Sequence, residues 1–275
     1  MQKKRISMTI SPEILKSLDS IVDGVKIRSR SEAIEAILSK HLASAKTAVF
    51  LGGGSPDKLR LGGRLKPLLE IGGKPLIVHN TERLRKAGFT NIFFIGSSEV
   101  IGECFKAIGN GSRYGINISY IEEQRALGNA KTLQLAEGRL KSSFLVLPVD
   151  NFFDFDLNYL SKIHKTTGAV ATLAVQAGRS ATELGMVDML GNMIIKYEEV
   201  PKKPKTSLTA TFIGMYDPVI FQHIPKGDVR CTLQTDVFPK LMEEKGLYGS
   251  IVPGFYINIR KESDVREAKS FVRNK

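Results

Sequence analysis

Residues 51–77 read LGGGSPDKLRLGGRLKPLLEIGGKPLI, and the interpretation of the whole chain starts from this glycine-rich stretch. It follows a short apolar segment, Thr47–Leu51, which predicts a buried strand. Three consecutive glycines, at positions 52 to 54, allow the backbone to approach a ligand closely and offer N–H groups to phosphates. Glycine clusters also occur in tight turns that bind nothing, so both interpretations stay open on this stretch alone.

Strands and helices alternate after residue 47, which indicates a parallel sheet covered by helices. Ligands of open α/β sheets bind at the carboxyl ends of the strands, where the loop after Leu51 and the carboxylate of Asp150 both fall. Glycines and a carboxylate are therefore expected in one crevice. The predicted strands are Thr47–Leu51, Asn91–Ile95, Ile116–Ile121 and Phe144–Val149, and the predicted helices are Leu76–Lys86 and Asn129–Leu140.

The stretch from Gly53 to Ile77 resembles the signature of the sugar-phosphate nucleotidyltransferases, GGxxxRL followed by PKPLLPIGGKPLI. In that family the arginine of the first part and the lysine of PKP hold the triphosphate. Lys58 and Lys66 fall on these two positions, so the resemblance implies catalytic roles for them. It also implies nucleotide binding by Leu51, Gly52, Gly53 and Gly54.

Two further segments resemble the family in the same order along the chain. LGNA, residues 127–130, resembles the LGTA turn that closes over the nucleotide base, which implies nucleotide binding by Gly128 and reading of the base edge by Glu123. FLVLPVDNFFDFD, residues 144–156, resembles the strand whose final aspartate binds magnesium between the phosphates. Asp150 takes that position, as a catalytic residue and metal ligand.

The C-terminal part carries two more matches. YEEVP, residues 197–201, resembles the FVEKP segment that contacts the sugar phosphate, and this implies that role for Glu199. YINI, residues 256–259, resembles the start of WIDIG, whose aspartate supplies the second metal ligand, a position taken here by Asn258. The resemblance thus implies Mg²⁺ as cofactor and covers essentially all of residues 47–260.

Four positions depart from the family pattern. Lys58 keeps the charge of the expected arginine but loses its bidentate fork, and Val200 is uncharged where the pattern has lysine. Asn258 offers only a neutral oxygen where the pattern has a carboxylate, and residues 210–212 read ATF in place of the NAG segment that hydrogen-bonds the sugar. Two functions stay open.

One is an active nucleotidyltransferase that joins a nucleoside triphosphate to a sugar-1-phosphate, releases pyrophosphate and carries a DNA-binding module. The alternative is a transcription regulator whose degenerate nucleotidyltransferase domain senses a nucleotide, sugar phosphate or nucleotide sugar.

Residues 1–46 predict a separate module of one strand and two helices. Apolar and polar residues alternate over Lys4–Ser11, as in a strand with one buried face. A first helix starts after Ser11, and a second starts after Ser29, with Glu32 completing a capping box. A unit this small cannot bury three apolar faces alone, so two copies should interlock in a homodimer or a higher even oligomer.

The order and spacing of this module resemble the ribbon-helix-helix family of the Arc and methionine repressors, whose paired strands enter the major groove of DNA. The resemblance implies a palindromic operator as partner, read by Arg5, Ser7 and Thr9. Backbone N–H groups near Arg30 and Ser31 would hold a DNA phosphate. Such modules can also serve dimerisation alone, and that alternative stays open.

The sequence therefore predicts an α/β protein with an N-terminal ribbon-helix-helix module, residues 1–46. A Rossmann-like nucleotidyltransferase domain with a mostly parallel sheet covered by helices follows at residues 47–275. The net charge of +12 favours polyanionic partners, which could be nucleic acid, nucleotides or sugar phosphates. No apolar run approaches the roughly 20 residues that span a bilayer, and residues 1–5 lack a signal-peptide pattern, so a cytoplasmic protein is expected. Cys104 and Cys231 are expected to be packing residues.

Overall fold

The computed structural model describes residues 7–178, 185–199 and 206–275. The chain divides into two compact units, Met1–Ala45 and Lys46–Lys275. The sequence predictions for Arg5 and Val200 concern positions outside the described residues.

The first unit contains two helices, α1 (Pro12–Asp19) and α2 (Arg30–Ser44). Both predicted starts are confirmed. The hydroxyl of Ser11 accepts a hydrogen bond from the backbone of Ile14 at 3.5 Å, and the hydroxyl of Ser29 accepts one from the backbone of Glu32 at 3.2 Å. The Glu32 carboxylate accepts a hydrogen bond from the backbone N–H of Arg28 at 2.6 Å. The capping box predicted the N–H of Ser29, one residue later, as the donor.

The strand predicted over Lys4–Ser11 is not formed in the part that the structure describes. Ser7 to Ile10 have no regular secondary structure. A strand needs a neighbouring strand to satisfy its backbone N–H and C=O groups, and the neighbour expected here belongs to a second copy of the chain. The strand prediction is therefore wrong for residues 7–11 of the single chain, which are the part of the predicted strand that the structure describes.

Within the described ranges, the second unit contains a nine-stranded sheet, three two-stranded ladders and six helices. Its strands are β1 (Lys46–Gly52), β2 (Arg60–Leu61), β3 (Arg64–Leu65), β4 (Glu70–Ile71), β5 (Lys74–Pro75), β6 (Phe89–Gly96), β7 (Asn117–Glu122), β8 (Phe144–Pro148), β9 (Asn151–Asp154), β10 (Ala171–Ala177), β11 (Gly185–Leu190), β12 (Met193–Glu198), β13 (Leu208–Tyr216), β14 (Leu247–Ile251) and β15 (Phe255–Asn258). Its helices are α3 (Leu76–Lys86), α4 (Ser98–Ile108), α5 (Asn129–Gln134), α6 (Leu157–Thr167), α7 (Phe238–Glu243) and α8 (Glu262–Arg273). None of the helices in the described ranges has the length and apolar character needed to cross a membrane.

The large sheet is mixed, with the strand order β10-β14-β12-β11-β13-β8-β1-β6-β7. Strands β8, β1, β6 and β7 are parallel, as predicted, whereas β13 is antiparallel to β8, β10 and β11. The prediction of a mostly parallel sheet is therefore wrong for the half after residue 170. There, β11 and β12 form a hairpin through Gly191 and Asn192, and the positive φ of Gly191 (59°) reverses the chain without a crossover helix.

Strand β1 lies in the middle of the parallel half and separates two apolar cores. Ala48 and Phe50 face the core that contains residues of helices α3, α4 and α6. Val49 faces the other core, with residues of α5 and α7, because successive side chains of a strand point to opposite faces of the sheet. Burial of a side chain such as Phe50 contributes about 1.5–3 kcal/mol. Cys104 packs in the first core and Cys231 in the second, as predicted, and burial raises the pKa of Cys104 to about 12.

Helix α5 is shorter than predicted. It ends at Gln134, six residues before Leu140, because the following backbone N–H groups bond three residues back instead of four. Examples are Leu135 to Thr132 at 3.2 Å and Glu137 to Gln134 at 2.9 Å. The shortening does not move the start of α5, which faces the glycine-rich loop.

Candidate functional site

Asp150 lies two residues after β8, at the carboxyl end of the parallel half of the sheet. The end of β1, from which the glycine-rich loop starts, is bonded to the residue before Asp150, since the Val149 N–H donates to the Leu51 carbonyl at 3.1 Å. Burial raises the pKa of Asp150 above its ordinary value, and the nearby positive charges of Lys66 and Arg260 oppose that rise. The predicted approach of the glycine-rich loop and Asp150 is confirmed.

Lys66 is the cation paired with Asp150. Its Nζ lies 3.8 Å from the Asp150 carboxylate, and the residue is 8 % exposed. It begins a short 3₁₀ helix, Lys66–Leu68, whose Pro67 fixes the backbone direction. A buried ammonium is costly unless it is paired, so this lysine is held facing a carboxylate at the crevice that the resemblance assigns to a triphosphate.

Asn258 is brought next to Asp150 by the ladder of β9 and β15. Asn258 is opposite Asn151 in this ladder, and the Ile259 N–H donates to the Asp150 carbonyl at 2.9 Å. The side-chain oxygen of Asn258 is buried and accepts no hydrogen bond within the described part of the chain. A buried oxygen without a donor is available to a cation.

The residues present fit the implied magnesium ion. Mg²⁺ prefers oxygen ligands and commonly binds through one or two protein groups together with substrate phosphates and water. Asp150 offers a carboxylate and Asn258 a free amide oxygen. In the ranges described, no group of three or more His, Cys, Asp or Glu side chains could hold a metal, so the remaining ligands would come from substrate and water.

Glu123 holds the glycine-rich loop. Its Oε2 accepts from the Gly54 N–H at 2.5 Å, and its Oε1 accepts from the hydroxyl of Thr132 at the start of α5. A side chain at Gly53 has no room, because a Cβ would lie 2.5 Å from Thr132 and 2.7 Å from Glu123. Glu123 was expected to read the base edge; the structure shows a carboxylate, 7 % exposed, that positions the loop.

Gly128 packs its backbone against residue 231. Its φ is 102°, and a Cβ would lie 2.3 Å from the Cys231 carbonyl, so the turn requires glycine. The Cys231 N–H donates to the Leu127 carbonyl at 2.8 Å, and Asn129 accepts from the Leu233 N–H at 2.8 Å. No pattern in the sequence predicts that the segment after residue 230 supports this turn.

Lys58 and Glu199 are both exposed, in contrast to Lys66 and Asp150. Lys58 is exposed in the 3₁₀ helix Pro56–Leu59. Glu199 is exposed and accepts from the Tyr197 hydroxyl at 2.6 Å, a contact that the sequence did not predict. Within the described residues, no hydrogen bond or ion pair connects Glu199 with Asp150.

Four of the predicted DNA-binding residues lie in the described part of the first unit, and all four are at the surface. Ser7, Thr9 and Ser31 are exposed, and Arg30, also exposed, begins α2. The guanidinium of Arg30 donates two hydrogen bonds to Asp19, at 2.6 and 2.8 Å, which tie α2 to the end of α1. This contact, which lowers the pKa of Asp19, was not predicted.

Comparison with known proteins agrees with the fold and with the family resemblance. Residues 47–271 match the family described as Nucleotidyl transferase. Two curated relatives are 30% identical over 207 residues: mannose-1-phosphate guanyltransferase 2 of Candida glabrata and mannose-1-phosphate guanyltransferase of Saccharomyces cerevisiae. The alignments cover 72% of this chain and 56% of each relative, so the chain spans little more than half the length of these proteins.

A solved structure shows the same fold. The crystal structure of a protein assigned as a glucose-1-phosphate thymidylyltransferase from Bacillus anthracis, in complex with sucrose, superimposes with a TM-score of 0.75. The match covers 84% of this chain and 96% of that one, at 23% sequence identity. Residues 47–271 thus show that the chain belongs to the nucleotidyl transferase family.

Proposed function

We propose that the second unit transfers a nucleotidyl group from a nucleoside triphosphate to a sugar-1-phosphate and releases pyrophosphate. The observation that carries this proposal is the buried pair of Lys66 and Asp150, 3.8 Å apart, beside a glycine-rich loop whose backbone is held by Glu123. GTP and mannose-1-phosphate are the first substrates to test, because the relatives named above are mannose-1-phosphate guanyltransferases.

The proposed reaction needs charge neutralisation and positioning more than covalent chemistry from the protein. A phosphate oxygen of the sugar-1-phosphate attacks the α-phosphorus in line, and the bond to the leaving pyrophosphate breaks. The ammonium of Lys66 faces the developing negative charge, and N–H groups of the loop at Gly53 and Gly54 position the nucleotide. Magnesium, held by Asp150 and Asn258, would neutralise phosphate oxygens when bound.

A second candidate function is sensing without turnover, and Asn258 favours it. A neutral amide binds magnesium more weakly than a carboxylate does, while the Lys66 and glycine-loop contacts that would hold a nucleotide are all present. In that case nucleotide or nucleotide-sugar binding would regulate the first unit.

For the first unit we propose a ribbon-helix-helix dimer that binds a palindromic DNA operator. Its two helices and the segment between them leave large apolar side chains exposed in the single chain, as expected if a second copy covers them. The exposed residues are Ile14, Ile21, Val25, Ile37 and Leu38. Ser7, Thr9 and Arg5 would face the bases, and the backbone at Arg30 and Ser31 a phosphate.

The test of the enzyme proposal is a substrate panel. The protein is incubated with Mg²⁺, each nucleoside triphosphate and a set of sugar-1-phosphates, and pyrophosphate is measured. Release that requires both GTP and mannose-1-phosphate supports the proposal. Nucleotide binding by calorimetry without release for any pair supports the sensor instead.

DNA binding is tested separately, by selection of operator sequences from random duplexes. Arg5→Ala should weaken binding to a selected palindrome by about 1–3 kcal/mol, the range for a base contact. Failure to enrich any palindrome at low salt would contradict the DNA proposal and leave dimerisation as the role of the unit.

A further inference from the structure

Arg260 occupies a fixed place beside the candidate metal site. It follows β15 by two residues, and the preceding Ile259 is bonded to the Asp150 carbonyl at 2.9 Å. The backbone N–H of Arg260 donates to the buried carboxylate of Asp264 at 2.8 Å, which fixes the start of α8. The backbone of Arg260 is therefore held between the Asp150 segment and α8.

The side chain of Arg260 has no anionic partner in the part of the chain that the structure describes. It is exposed and forms no ion pair or hydrogen bond with a described residue. Arg260 directly follows Ile259, whose backbone is bonded to that of Asp150, so the chain carries a positive charge beside the Asp150 segment. Burial raises the pKa of Asp150, and the charge of Arg260 opposes that rise. A cation without an ion-pair partner among the described residues is thus attached to the backbone next to the candidate metal site.

The segment that carries Arg260 differs in charge from the family pattern that it resembles. The WIDIG pattern has an aspartate and a glycine where this chain has Asn258 and Arg260. One negative charge is absent and one positive charge is added, two residues apart, next to Asp150. The change equals the charge of one divalent cation, and a guanidinium can bind phosphate oxygens in a bidentate manner.

We propose that the guanidinium of Arg260 binds a substrate phosphate beside Asp150 and supplies positive charge that compensates for the weaker magnesium ligand Asn258. The inference rests on the proposed function of the second unit. It adds a phosphate-binding residue to the site and predicts that part of the phosphate affinity is independent of magnesium.

The test is calorimetric titration of the full-length protein with inorganic pyrophosphate, in EDTA and in Mg²⁺. Arg260→Gln should weaken binding in EDTA by at least about tenfold, the effect expected for a lost charge-assisted hydrogen bond. The matched control is Arg266→Gln, which removes the same charge from an exposed position on α8 and should change affinity less than about twofold, as expected for a solvent-screened charge. Equal affinities for Arg260→Gln and Arg266→Gln in EDTA would overturn the inference.

A second variant tests the compensation. In Asn258→Asp, magnesium should increase pyrophosphate affinity more than it does in the wild type. Adding Arg260→Gln to this variant should then reduce pyrophosphate affinity in Mg²⁺ by a smaller factor than Arg260→Gln does in the wild type. Strictly additive effects of the two substitutions would contradict compensation. Substrate-dependent turnover by the wild type with no Arg260 effect would overturn this inference alone, whereas absence of pyrophosphate and nucleotide binding in every variant would contradict both it and the proposed function.

Discussion

Glu123 shows at the level of single residues how the glycine-rich loop obtains its shape. The carboxylate bonds the Gly54 N–H and the Thr132 hydroxyl at once, so it joins the loop after β1 to the start of α5. Gly53 lies against the same two side chains with no space for a Cβ. The loop is thus organised before any nucleotide binds, which reduces the entropy lost on binding.

Gly53→Ala should disturb this arrangement. Its Cβ would lie within 2.7 Å of Thr132 and Glu123, and overpacking of this kind costs about 1–3 kcal/mol. We expect weaker GTP binding by calorimetry and a lower melting temperature. Gly102→Ala is the matched control, because a Cβ there meets nothing within 4 Å and alanine favours helix α4. Equal GTP affinity in the two variants would contradict a fitted loop.

Lys66→Gln should have a far larger effect on turnover than on the stability of the fold. The substitution removes the cation that faces Asp150 and that, in the proposed reaction, faces the phosphates, and loss of one such electrostatic group costs at least about 100-fold in kcat. Lys106→Gln, at an exposed lysine of α4 paired with Glu103, serves as control. The measurement is pyrophosphate release with melting temperature in parallel; a kcat within about threefold of the control, too small for such a group, would contradict the catalytic role.

At the level of elements, the packing of α6 on β10 carries a pH-dependent contribution to stability. His164 of α6 is 3 % exposed, and its Nδ1 lies 3.0 Å from the Thr172 hydroxyl on β10. Burial lowers the pKa of His164 from its ordinary 6.5. Below pH 6.5 the unfolded chain takes up a proton that the folded chain does not, so stability falls as the pH falls toward the lower folded pKa.

We therefore expect the melting temperature to drop between pH 7.5 and pH 5, and to drop less in His164→Asn. Asparagine keeps a polar group near Thr172 but cannot be protonated. Part of the drop should persist, since burial also lowers the pKa of His79. Identical drops in wild type and variant would exclude His164 as a source of the pH dependence.

The elements that could be predicted from sequence are those whose signals are local. Helix α3 was predicted at its observed bounds, and the parallel strands were predicted from short apolar runs. The antiparallel pairing after residue 170 was not predicted, although Gly191-Asn192 is a two-residue hairpin signal. The prediction relied on strands that alternate with helical patterns, and β11 and β12 have no helix between them. The position of Asp150 and Lys66 followed from the family pattern, but the support of Gly128 by Cys231 is a contact across 103 residues that no local pattern encodes.

At the scale of the whole molecule, the two units carry different proposed partners. The first unit buries only a small apolar core of its own, with Leu18 and Ala33 as its buried hydrophobic residues among those described. The second has two extensive cores and matches its family over residues 47–271. Dimerisation is therefore expected to depend on the first unit.

Ile37→Asp should shift the full-length protein from dimer to monomer. Ile37 is 42% exposed on α2, and a charge there would be buried in the proposed dimer without a partner. Leu190→Asp, at a residue 67% exposed beside the β11–β12 hairpin, is the control. Sedimentation velocity at micromolar concentration distinguishes the two states. A wild type that is monomeric, or a dimer unaffected by Ile37→Asp, would contradict the proposed interface.

We propose that the crevice of Lys66 and Asp150 joins a nucleotide to a sugar phosphate. The most direct measurement is ³¹P NMR of wild type and Asp150→Ala with Mg²⁺, GTP and mannose-1-phosphate. We predict nucleotide-sugar and pyrophosphate signals that grow together for the wild type and are lost in Asp150→Ala. Unchanged product formation in Asp150→Ala, or no nucleotide sugar from the wild type with this or any other nucleotide and sugar-1-phosphate pair, would contradict it.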